Sequence, residues 1–233
     1  MPAFLLKLSG EALGGEAGAG IEPEVLKHYC DEIESAHRAG IKLAVVLGGG
    51  NLFRGAHLAA AGMDRVVGDR MGMLATVMNG LALHDFLRRR GISSRLYSAV
   101  AMPGMVEGYN RDTARMAMRQ GEVVILTGGT GNPFFTTDTA ACLRGVELGV
   151  DAILKATNVD GVYSADPKTD PSAVRFQQIS YNEVLAQELS VMDLTAIVMC
   201  KENNLPLVVF DSSESQTLTR IASGDQVGTR VGA

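Results

Sequence analysis

Short apolar runs alternate along the chain with longer segments in which apolar residues recur at helical spacing. The runs are rich in leucine and β-branched residues, as is typical of strands buried on both faces of a parallel sheet. They cover residues 4–8, 43–47, 95–99, 123–126, 151–155 and 207–210, and a last short strand is expected near residue 231. This alternation predicts an α/β fold of three layers (α/β/α), in which a mostly parallel open sheet carries helices on both faces.

Two of the predicted helices carry more specific expectations. A long helical pattern runs over residues 64–90. We interpret its apolar members as core residues rather than cofactor contacts; they are Met71, Met73, Leu74, Val77, Met78, Leu81 and Phe86. Composition leaves open whether this apolar face serves the core or a subunit interface. Further along, the spacing of Ser180 and Glu183 is that of a capping box and predicts a helix that runs to Leu189.

One strand leads directly into the most informative stretch of the sequence. Residues 123–126 are apolar, three glycines occur within the next five positions, and two threonines and Asp138 precede a helical pattern. A strand, a glycine turn and a helix N-terminus together make an anion site at the carboxyl edge of a parallel sheet. The alternative is an ordinary connection between a strand and a helix. Phe134 and Phe135 favour the ligand site, because aromatic side chains placed there would wall a pocket.

Glycine-bearing loops follow other strands as well and should gather along the same edge of the sheet. Lys7 leaves the first strand toward this edge, and Arg54 lies just beyond the triple glycine 48–50. The Walker A pattern is absent, and the dinucleotide pattern Gly-x-Gly-x-x-Gly fails because Phe53 and Phe134 occupy its last position. Separate phosphate-type loops with adjacent cations indicate two phosphorylated ligands that meet end to end. The alternative for Lys7 and Arg54 is that each is a solvated surface charge.

Composition narrows the class of protein and of partner. The 233 residues, 46% of them hydrophobic, suit a single domain over residues 1–233 with an ample core. The net charge of -5 argues against a nucleic-acid polymer, whose phosphates require a basic face. The three cysteines lack Cys-x-x-Cys spacing, so we expect reduced, buried thiols. Because no apolar run approaches the roughly 18 residues of a membrane span, we expect a soluble cytoplasmic protein without membrane contact.

Longer motifs carry a resemblance to a known family. They read KLSGEAL at 7–13, GGGNLFRG at 48–55, DRMGMLATVMNG at 69–80, GNPFFTTD at 131–138 and VMDL at 191–194. With these motifs the chain resembles the bacterial uridylate (UMP) kinases of the amino acid kinase superfamily over essentially its whole length. The resemblance implies transfer of the γ-phosphoryl group of ATP to UMP, giving UDP and ADP, as a step of pyrimidine nucleotide biosynthesis.

The resemblance also assigns residues to sites. It places ATP at Lys7, Leu8, Ser9, Gly10, Gly50, Arg54, Thr157, Asn158, Tyr163 and Asp166. It places UMP at Gly49, Asp69, Thr130, Gly131, Asn132, Pro133, Phe134, Phe135, Thr136 and Thr137. The catalytic residues that it implies are Lys7, Arg54, Asp138 and Asp193, which Lys155 would join. Mg²⁺ is expected to be held mainly by ATP phosphates and water, with no metal cage built by the protein.

Regulation and assembly are implied by the resemblance in the same way. GTP is expected to activate, UTP to inhibit, and the chain to form a homohexamer. The implied effector residues are Gly15, Glu16, Ala17, Gly18, Ala19, Gly20, Arg88 and Arg95, and His84 and Arg111 also fall where effector contacts are expected. His84 and Arg88 depart from the pattern of the enterobacterial enzymes.

The implied reaction agrees with the residue types present. The acceptor oxygen of a UMP phosphate is already anionic near neutral pH, so no general base is required. Catalysis then depends on positioning and on charge neutralisation by Lys7, Arg54 and Mg²⁺. Asp69 would accept hydrogen bonds from ribose hydroxyls, its alternative being an acidic residue that stabilises a helix N-terminus. His57 is interpreted as a surface or subunit-contact residue.

Other activities are open at the level of sequence. Acetylglutamate, carbamate and aspartate kinases share the sheet and the glycine loops, but they are not expected to carry the GNPFFTTD block. The alternative from a different class is an ATP-binding relative without catalytic activity, either a store of molybdenum or tungsten oxyanions or a nucleotide sensor.

Overall fold

The computed structural model describes residues 1–53, 55, 61–167 and 169–232. Its strands are β1 (Ala3–Leu8), β2 (Lys42–Leu47), β3 (Ser94–Ser98), β4 (Glu107–Gly108), β5 (Val123–Thr127), β6 (Ala152–Thr157), β7 (Gln178–Ser180), β8 (Leu207–Asp211) and β9 (Thr229–Gly232). Its helices are α1 (Gly10–Leu13), α2 (Pro23–Arg38), α3 (Arg65–Arg89), α4 (Arg111–Arg119), α5 (Thr137–Leu148), α6 (Tyr181–Ala186), α7 (Leu194–Glu202) and α8 (Thr217–Ala222). Arg54 and His57, both singled out from the sequence, lie outside the described residues.

The strands form one open sheet in the order β4-β3-β5-β2-β1-β6-β8-β9-β7. Among the described residues the pairings are parallel, except for the antiparallel pairing of β8 with β9. The predicted mostly parallel sheet is therefore confirmed. The short strands β4 and β7 were not predicted, because two or three residues give no periodic signal.

Helices cover both faces of this sheet, and the pleat of β1 shows how the core divides. Phe4, Leu6 and Leu8 pack in one layer with residues of α2, α3 and α8. Leu5 packs in the other layer with residues of α4, α5, α6 and α7. Because side chains alternate along a strand, Lys7 faces the same layer as Leu5.

The longest helix, α3, departs from its predicted role. Met73 and Val77 are buried as expected. Four other apolar side chains are between 36% and 55% exposed, so their interpretation as core residues is wrong; they are Met71, Leu74, Met78 and Leu81. Only one side of α3 can face the sheet, which leaves these residues on the outer side. No helix in the described part of the chain, α3 included, is long and apolar enough to cross a membrane.

Two smaller expectations have different outcomes. The capping box of Ser180 and Glu183 is formed, with both of its hydrogen bonds present. The helix that it begins ends at Ala186 rather than at Leu189, because Glu188 adopts a left-handed backbone with φ of 51°.

The three cysteines are free and buried. Cys142 on α5 and Cys200 on α7 are nevertheless neighbours, with their Sγ atoms 3.0 Å apart. Their separation in sequence gave no sign of this contact, which arises from the packing of α5 against α7.

Candidate active site

A carboxylate held between two lysines forms the centre of the site. Lys7 on β1 and Lys155 on β6 are neighbours in the parallel register. Asp138, in the first turn of α5, lies 2.7 Å from Lys7 Nζ through Oδ1 and 2.9 Å from Lys155 Nζ through Oδ2. All three side chains are at most 16% exposed. We call these residues the charged cluster.

The fold explains how the charged cluster forms. Lys7 and Lys155 lie at register-matched positions, so the pleat directs both side chains to the layer that contains α5. Asp138 meets them from the N-terminus of α5, where the helix dipole favours negative charge. The cluster contains two ammonium groups and one carboxylate, so it carries an excess of positive charge. An anion site requires such an excess.

Shifts in pKa reflect this imbalance. Burial alone would raise the pKa of Asp138, but the charges of Lys7 and Lys155 outweigh it and hold that pKa below its usual range. Burial lowers the pKa of Lys155, Lys7 lowers it further, and Asp138 opposes both effects. An anionic ligand at Lys155 would therefore stabilise its charged form.

Asp193 holds two helix N-termini together. It is the N-cap of α7, where it accepts a hydrogen bond from Ala196 N at 3.0 Å. It also accepts hydrogen bonds from the hydroxyls of Thr136 and Thr139, the latter at 2.9 Å. The resemblance named Asp193 as a catalytic residue together with Asp138. Asp138 contacts the two lysines, whereas the contacts of Asp193 are with hydroxyl and amide groups. It fixes the turn that delivers Asp138 to the lysines.

A cleft opens beside the charged cluster, between the glycine loop 48–50, α3 and the residues after β5. The residues expected at UMP that line this cleft are Gly49, Asp69, Thr130, Phe135, Thr136 and Thr137. Gly131, Asn132, Pro133 and Phe134 do not line it. Gly50, expected at ATP, does line it.

Phe134 takes a different place from the one expected. Its ring is 66% exposed and lies beside the guanidinium of Arg65, 5.7 Å from the ring centroid to Cζ. Its backbone is left-handed, with φ of 73°, which is a strained conformation for a bulky residue. Asp69 Oδ2 accepts a hydrogen bond from Phe134 N at 2.7 Å and so holds this conformation in place.

Asp69 is therefore not a helix cap. Asp64 is the N-cap of α3 and accepts hydrogen bonds from Val66 N and Val67 N. Asp69 lies further along the helix, where Arg65 Nε contacts both of its oxygens at 2.8 and 2.9 Å. Its carboxylate lines the cleft and joins α3 to the Phe134 turn.

The phosphate-type loops pack backbone against backbone. Gly48 N donates to Leu8 O at 2.9 Å. A Cβ on Gly10 would lie 2.4 Å from Gly50 N, closer than real Cβ contacts allow, so this crossing requires glycine. The segment after β1, with Ser9 as the N-cap of α1, thus lies directly on the glycine loop.

A second cavity, of about 600 Å³, lies against the charged cluster. Four of the residues expected at ATP line it; they are Thr157, Asn158, Tyr163 and Asp166. Lys155 lines it as well, so the cavity reaches the charged cluster. The segment 187–191 completes the wall. Sequence reasoning singled out only its last residue, Val191, in the VMDL motif, because residues 187–190 carry no motif. The volume is within the range of small-molecule sites.

Thr76 is another residue that sequence reasoning missed. It is buried on α3, lines the first cleft, and accepts a hydrogen bond from Gly128 N at 2.8 Å. Its own hydroxyl donates to Met73 O at 2.7 Å. The signal was a polar residue inside the apolar motif at 69–80.

The expected effector residues fall into two separate groups. Residues Gly15–Ala17 form a 3-10 turn, and Gly18 and Gly20 follow with left-handed backbones. Gly20 is hydrogen-bonded to Asn51, at the carboxyl edge of the sheet. Arg95 lies near the amino end of β3, paired with Glu122 at 2.8 Å. One copy of the chain does not bring these groups together.

Protein ligands for a metal are sparse. In the described residues no group of three or more His, Cys, Asp or Glu side chains could hold a metal ion. Asp138 is engaged by both lysines and Asp193 by hydroxyls.

Comparison with known proteins gives consistent results. A model of the amino acid kinase family matches residues 2–211. The uridylate kinase of Marinobacter nauticus is 56% identical over 227 residues, which cover 97% of this chain and 94% of that protein. The uridylate kinase of Alcanivorax borkumensis is 55% identical over 230 residues, which cover 99% of this chain and 91% of that protein.

Solved structures show the same similarity. The crystal structure of the UMP kinase from Bacillus anthracis matches with a TM-score of 0.96 and 37% identity, covering 100% of this chain and 97% of that one. The uridylate kinase from Archaeoglobus fulgidus matches with a TM-score of 0.76 and 28% identity, covering 100% of both chains.

Proposed function

The chain belongs to the amino acid kinase family and, within it, to the uridylate kinases, and from this premise we propose that it transfers the γ-phosphoryl group of ATP to UMP. The products are UDP and ADP, and the reaction is a step in the supply of pyrimidine nucleotides. The proposal places the enzyme in the cytoplasm as a single domain.

The observation that carries the proposal is that the charged cluster is connected to two cavities, to one directly and to the other through the preceding turn. Lys155 lines the larger cavity, and Thr136 and Thr137, which immediately precede Asp138, line the smaller cleft. A nucleotide in each cavity would bring its phosphates toward Lys7 and Lys155. Two phosphate chains that meet at excess positive charge are the arrangement that phosphoryl transfer between nucleotides requires.

The residues act mainly by holding and neutralising charge. UMP supplies an ionised phosphate oxygen as nucleophile, so no side chain has to remove a proton. Lys7 and Lys155 stabilise the charge that develops on the transferred group, and Asp138 fixes the positions of both lysines. Backbone N–H groups of the glycine loop and Arg54 would complete the set. Mg²⁺, bound chiefly through ATP phosphates, would neutralise further phosphate charge.

Substrate selection would lie in the smaller cleft. Asp69 presents a carboxylate to the cleft, where it can accept hydrogen bonds from ribose hydroxyls. Phe135 and Thr130 also line this cleft and would form a wall against the base of the nucleotide. The larger cavity, with Thr157, Asn158, Tyr163 and Asp166, would receive the adenosine of ATP.

Assembly and regulation follow from the same family membership. We propose a homohexamer that GTP activates and UTP inhibits. The exposed apolar residues of α3 support contact with another copy, because their spacing alternates between four and three residues, as in a helix-pairing seam; they are Val67, Met71, Leu74, Met78 and Leu81. Contact between copies would also allow the two separate effector groups to meet across subunits.

The test is a coupled assay of ADP release with ATP and Mg²⁺, in which UMP, CMP, dUMP and acetylglutamate are offered in parallel. Turnover with UMP and not with the other acceptors is expected. Turnover with acetylglutamate instead would indicate another activity of the superfamily. Tight ATP binding without turnover on any acceptor would overturn the proposal in favour of oxyanion storage or nucleotide sensing.

A further inference from the structure

Two asparagines form a closed amide pair beneath the glycine loop. Asn51 directly follows the loop and Asn79 lies on α3, and both are buried, at 4% and 1% exposed. Asn51 Nδ2 donates to Asn79 Oδ1 at 3.0 Å, and Asn79 Nδ2 donates to Asn51 Oδ1 at 2.7 Å. Each side chain is thus both donor and acceptor for the other.

The second hydrogen of each amide reaches a backbone carbonyl on a different segment. Asn79 Nδ2 donates to Gly48 O at 2.8 Å, and Asn51 Nδ2 donates to Gly20 O at 2.6 Å. Gly20 N donates in return to Asn51 O at 3.0 Å. All four amide hydrogens therefore have acceptors, and a buried polar network that is fully satisfied specifies one arrangement of its members.

The pair consequently joins three parts of the molecule. Gly48 begins the glycine loop, whose next residues are the proposed nucleotide contacts Gly49 and Gly50. Gly20 ends the segment 15–20. Asn79 anchors both to α3, the helix that carries the exposed apolar residues. The crossing of Gly10 holds the loop from its other side.

Packing alone does not call for amides at these positions. Apolar side chains of similar volume would fill the space without the desolvation of four polar atoms. Directed hydrogen bonds, by contrast, fix where the loop carbonyl and the Gly20 carbonyl lie relative to α3. The chemistry of the amide pair therefore suits positioning of these two backbone carbonyls rather than filling of space.

On the premise of the proposed function, we propose that Asn51 and Asn79 are positioning residues that fix the glycine loop 48–50 and couple it to the segment 15–20. A nucleotide that orders the loop then also orders the segment. By linkage, a ligand that orders the segment strengthens nucleotide binding at the loop by the same factor.

The first test uses hydrogen exchange of the wild-type chain with and without a non-hydrolysable ATP analogue and Mg²⁺. Slower exchange is expected in peptides covering 48–51 and also in those covering 15–20. In Asn51→Ala the analogue should still protect 48–51 but should no longer protect 15–20. Protection confined to 48–51 in the wild type, or unchanged protection of 15–20 in the variant, overturns the coupling. Because only ATP binding is needed, this result is independent of whether UMP is the acceptor.

The second test compares turnover in Asn51→Ala, Asn79→Leu and the double variant. Displacement of the loop is expected to lower kcat by roughly 10-fold to 100-fold in each single variant, and the double variant should lose little more because the pair acts as a unit. Thr217→Val is the control, since Thr217 is buried on α8, outside the glycine loop, the segment 15–20 and α3, and the substitution removes a similar bond to Glu214 O.

The outcomes of this second test separate positioning from structure. Variants whose Tm falls as in the control while kcat stays at the wild-type value would show a purely structural role and overturn the positioning proposal. If Asn79→Leu does not fold, Asn51→Ala decides alone, since it keeps the bond from Asn79 to Gly48. A wild-type chain that binds the ATP analogue without UMP turnover would contradict the proposed function, while hydrogen exchange would still decide the coupling.

Discussion

At the scale of single residues, the site depends on charges placed where a buried sheet would normally hold apolar side chains. Lys7 and Lys155 occupy such positions on adjacent strands, and Asp138 stabilises both. Removing the carboxylate would leave two ammonium groups together with no partner from α5. The stability of the fold is therefore linked to the ionisation of one residue.

We expect Asp138→Asn to lower the free energy of unfolding at pH 7 by on the order of 3 kcal/mol, because it leaves the buried ammonium groups of Lys7 and Lys155 without their carboxylate partner. The folded-state pKa of Asp138 lies below its usual range. At pH values above the ordinary carboxyl pKa, the ionised Asp138 therefore stabilises the fold. This stabilisation is lost as the pH falls through the folded-state pKa. The difference between wild type and variant should accordingly shrink in acid, as measured by denaturant unfolding from pH 7 to pH 3.

The matched control is Asp112→Asn, an acidic residue in the first turn of α4 that is exposed and paired with Arg111. Its effect should stay below about 1 kcal/mol at every pH. An Asp138→Asn variant as stable as this control at pH 7 would contradict the role given to the charged cluster.

Asp69 carries the prediction about specificity. Asp69→Asn should raise the KM for UMP by roughly 10-fold or more, because a hydrogen bond from a ribose hydroxyl to a charged acceptor becomes a neutral one. The KM for ATP should change little. Asp85→Asn is the control, since Asp85 lies on the same helix and pairs with Arg89 at the same spacing as Asp69 with Arg65. Equal rises for both substrates would argue against a UMP contact.

At the scale of elements, the N-terminus of α5 delivers Asp138 and the N-terminus of α7 holds it in place. Asp193 caps α7 and also binds Thr136 and Thr139, so the starts of α5 and α7 are fixed to each other. The turn before α5 lines the cleft and ends at Asp138. Stability of this junction and placement of the charged cluster are therefore coupled.

Two N-cap variants should separate these effects. Asp193→Ala and Asn110→Ala each remove a side chain that caps a helix, and each should cost about 1 kcal/mol of stability. Only Asp193→Ala should also lower kcat, by roughly 10-fold to 100-fold, because only it displaces the turn that carries Asp138. Thermal unfolding and steady-state kinetics of both purified variants make the comparison. Equal kcat values in the two would show that Asp193 acts only as a cap.

At the scale of the whole molecule, α3 has two functions on opposite sides. Its buried side carries Thr76 and Asn79, which contact the residues after β5 and the glycine loop. Its outer side exposes apolar side chains in a regular stripe, including Leu74 and Met78 at 52% and 55% exposed. A contact between copies along this stripe would place the subunit interface across α3 from the candidate active site.

The double substitution Leu74→Glu and Met78→Glu should therefore dissociate the proposed homohexamer. Charges on both copies of a paired helix would repel and would be buried without partners. Light scattering after size-exclusion chromatography should show a shift to a smaller species that remains folded by circular dichroism. Met116→Glu, which changes an exposed methionine on α4, should leave the assembly intact. An unchanged oligomer in the double variant would exclude this face as an interface.

The sequence by itself determined the order of the longer strands and helices, because burial on both faces and helical periodicity leave local signals. It also located Lys7, Asp69 and Asp138, since these residues stand in long motifs beside glycine loops. The capping box at Ser180 was predicted because its spacing to Glu183 is also a local signal. The local pattern was misleading for Leu74 and Met78, which could lie either in the core or on the outer side of the helix. Periodicity shows which residues share a face of a helix, but it does not show what covers that face.

Only the tertiary structure decided which distant residues meet. The strand register places Lys7 beside Lys155, and the packing of α5 brings Asp138 between them. The pairing of Asn51 with Asn79 has no signal in sequence for the same reason. Such contacts depend on the relative placement of elements far apart in the chain, and that placement results from the packing of the whole core rather than from any local preference.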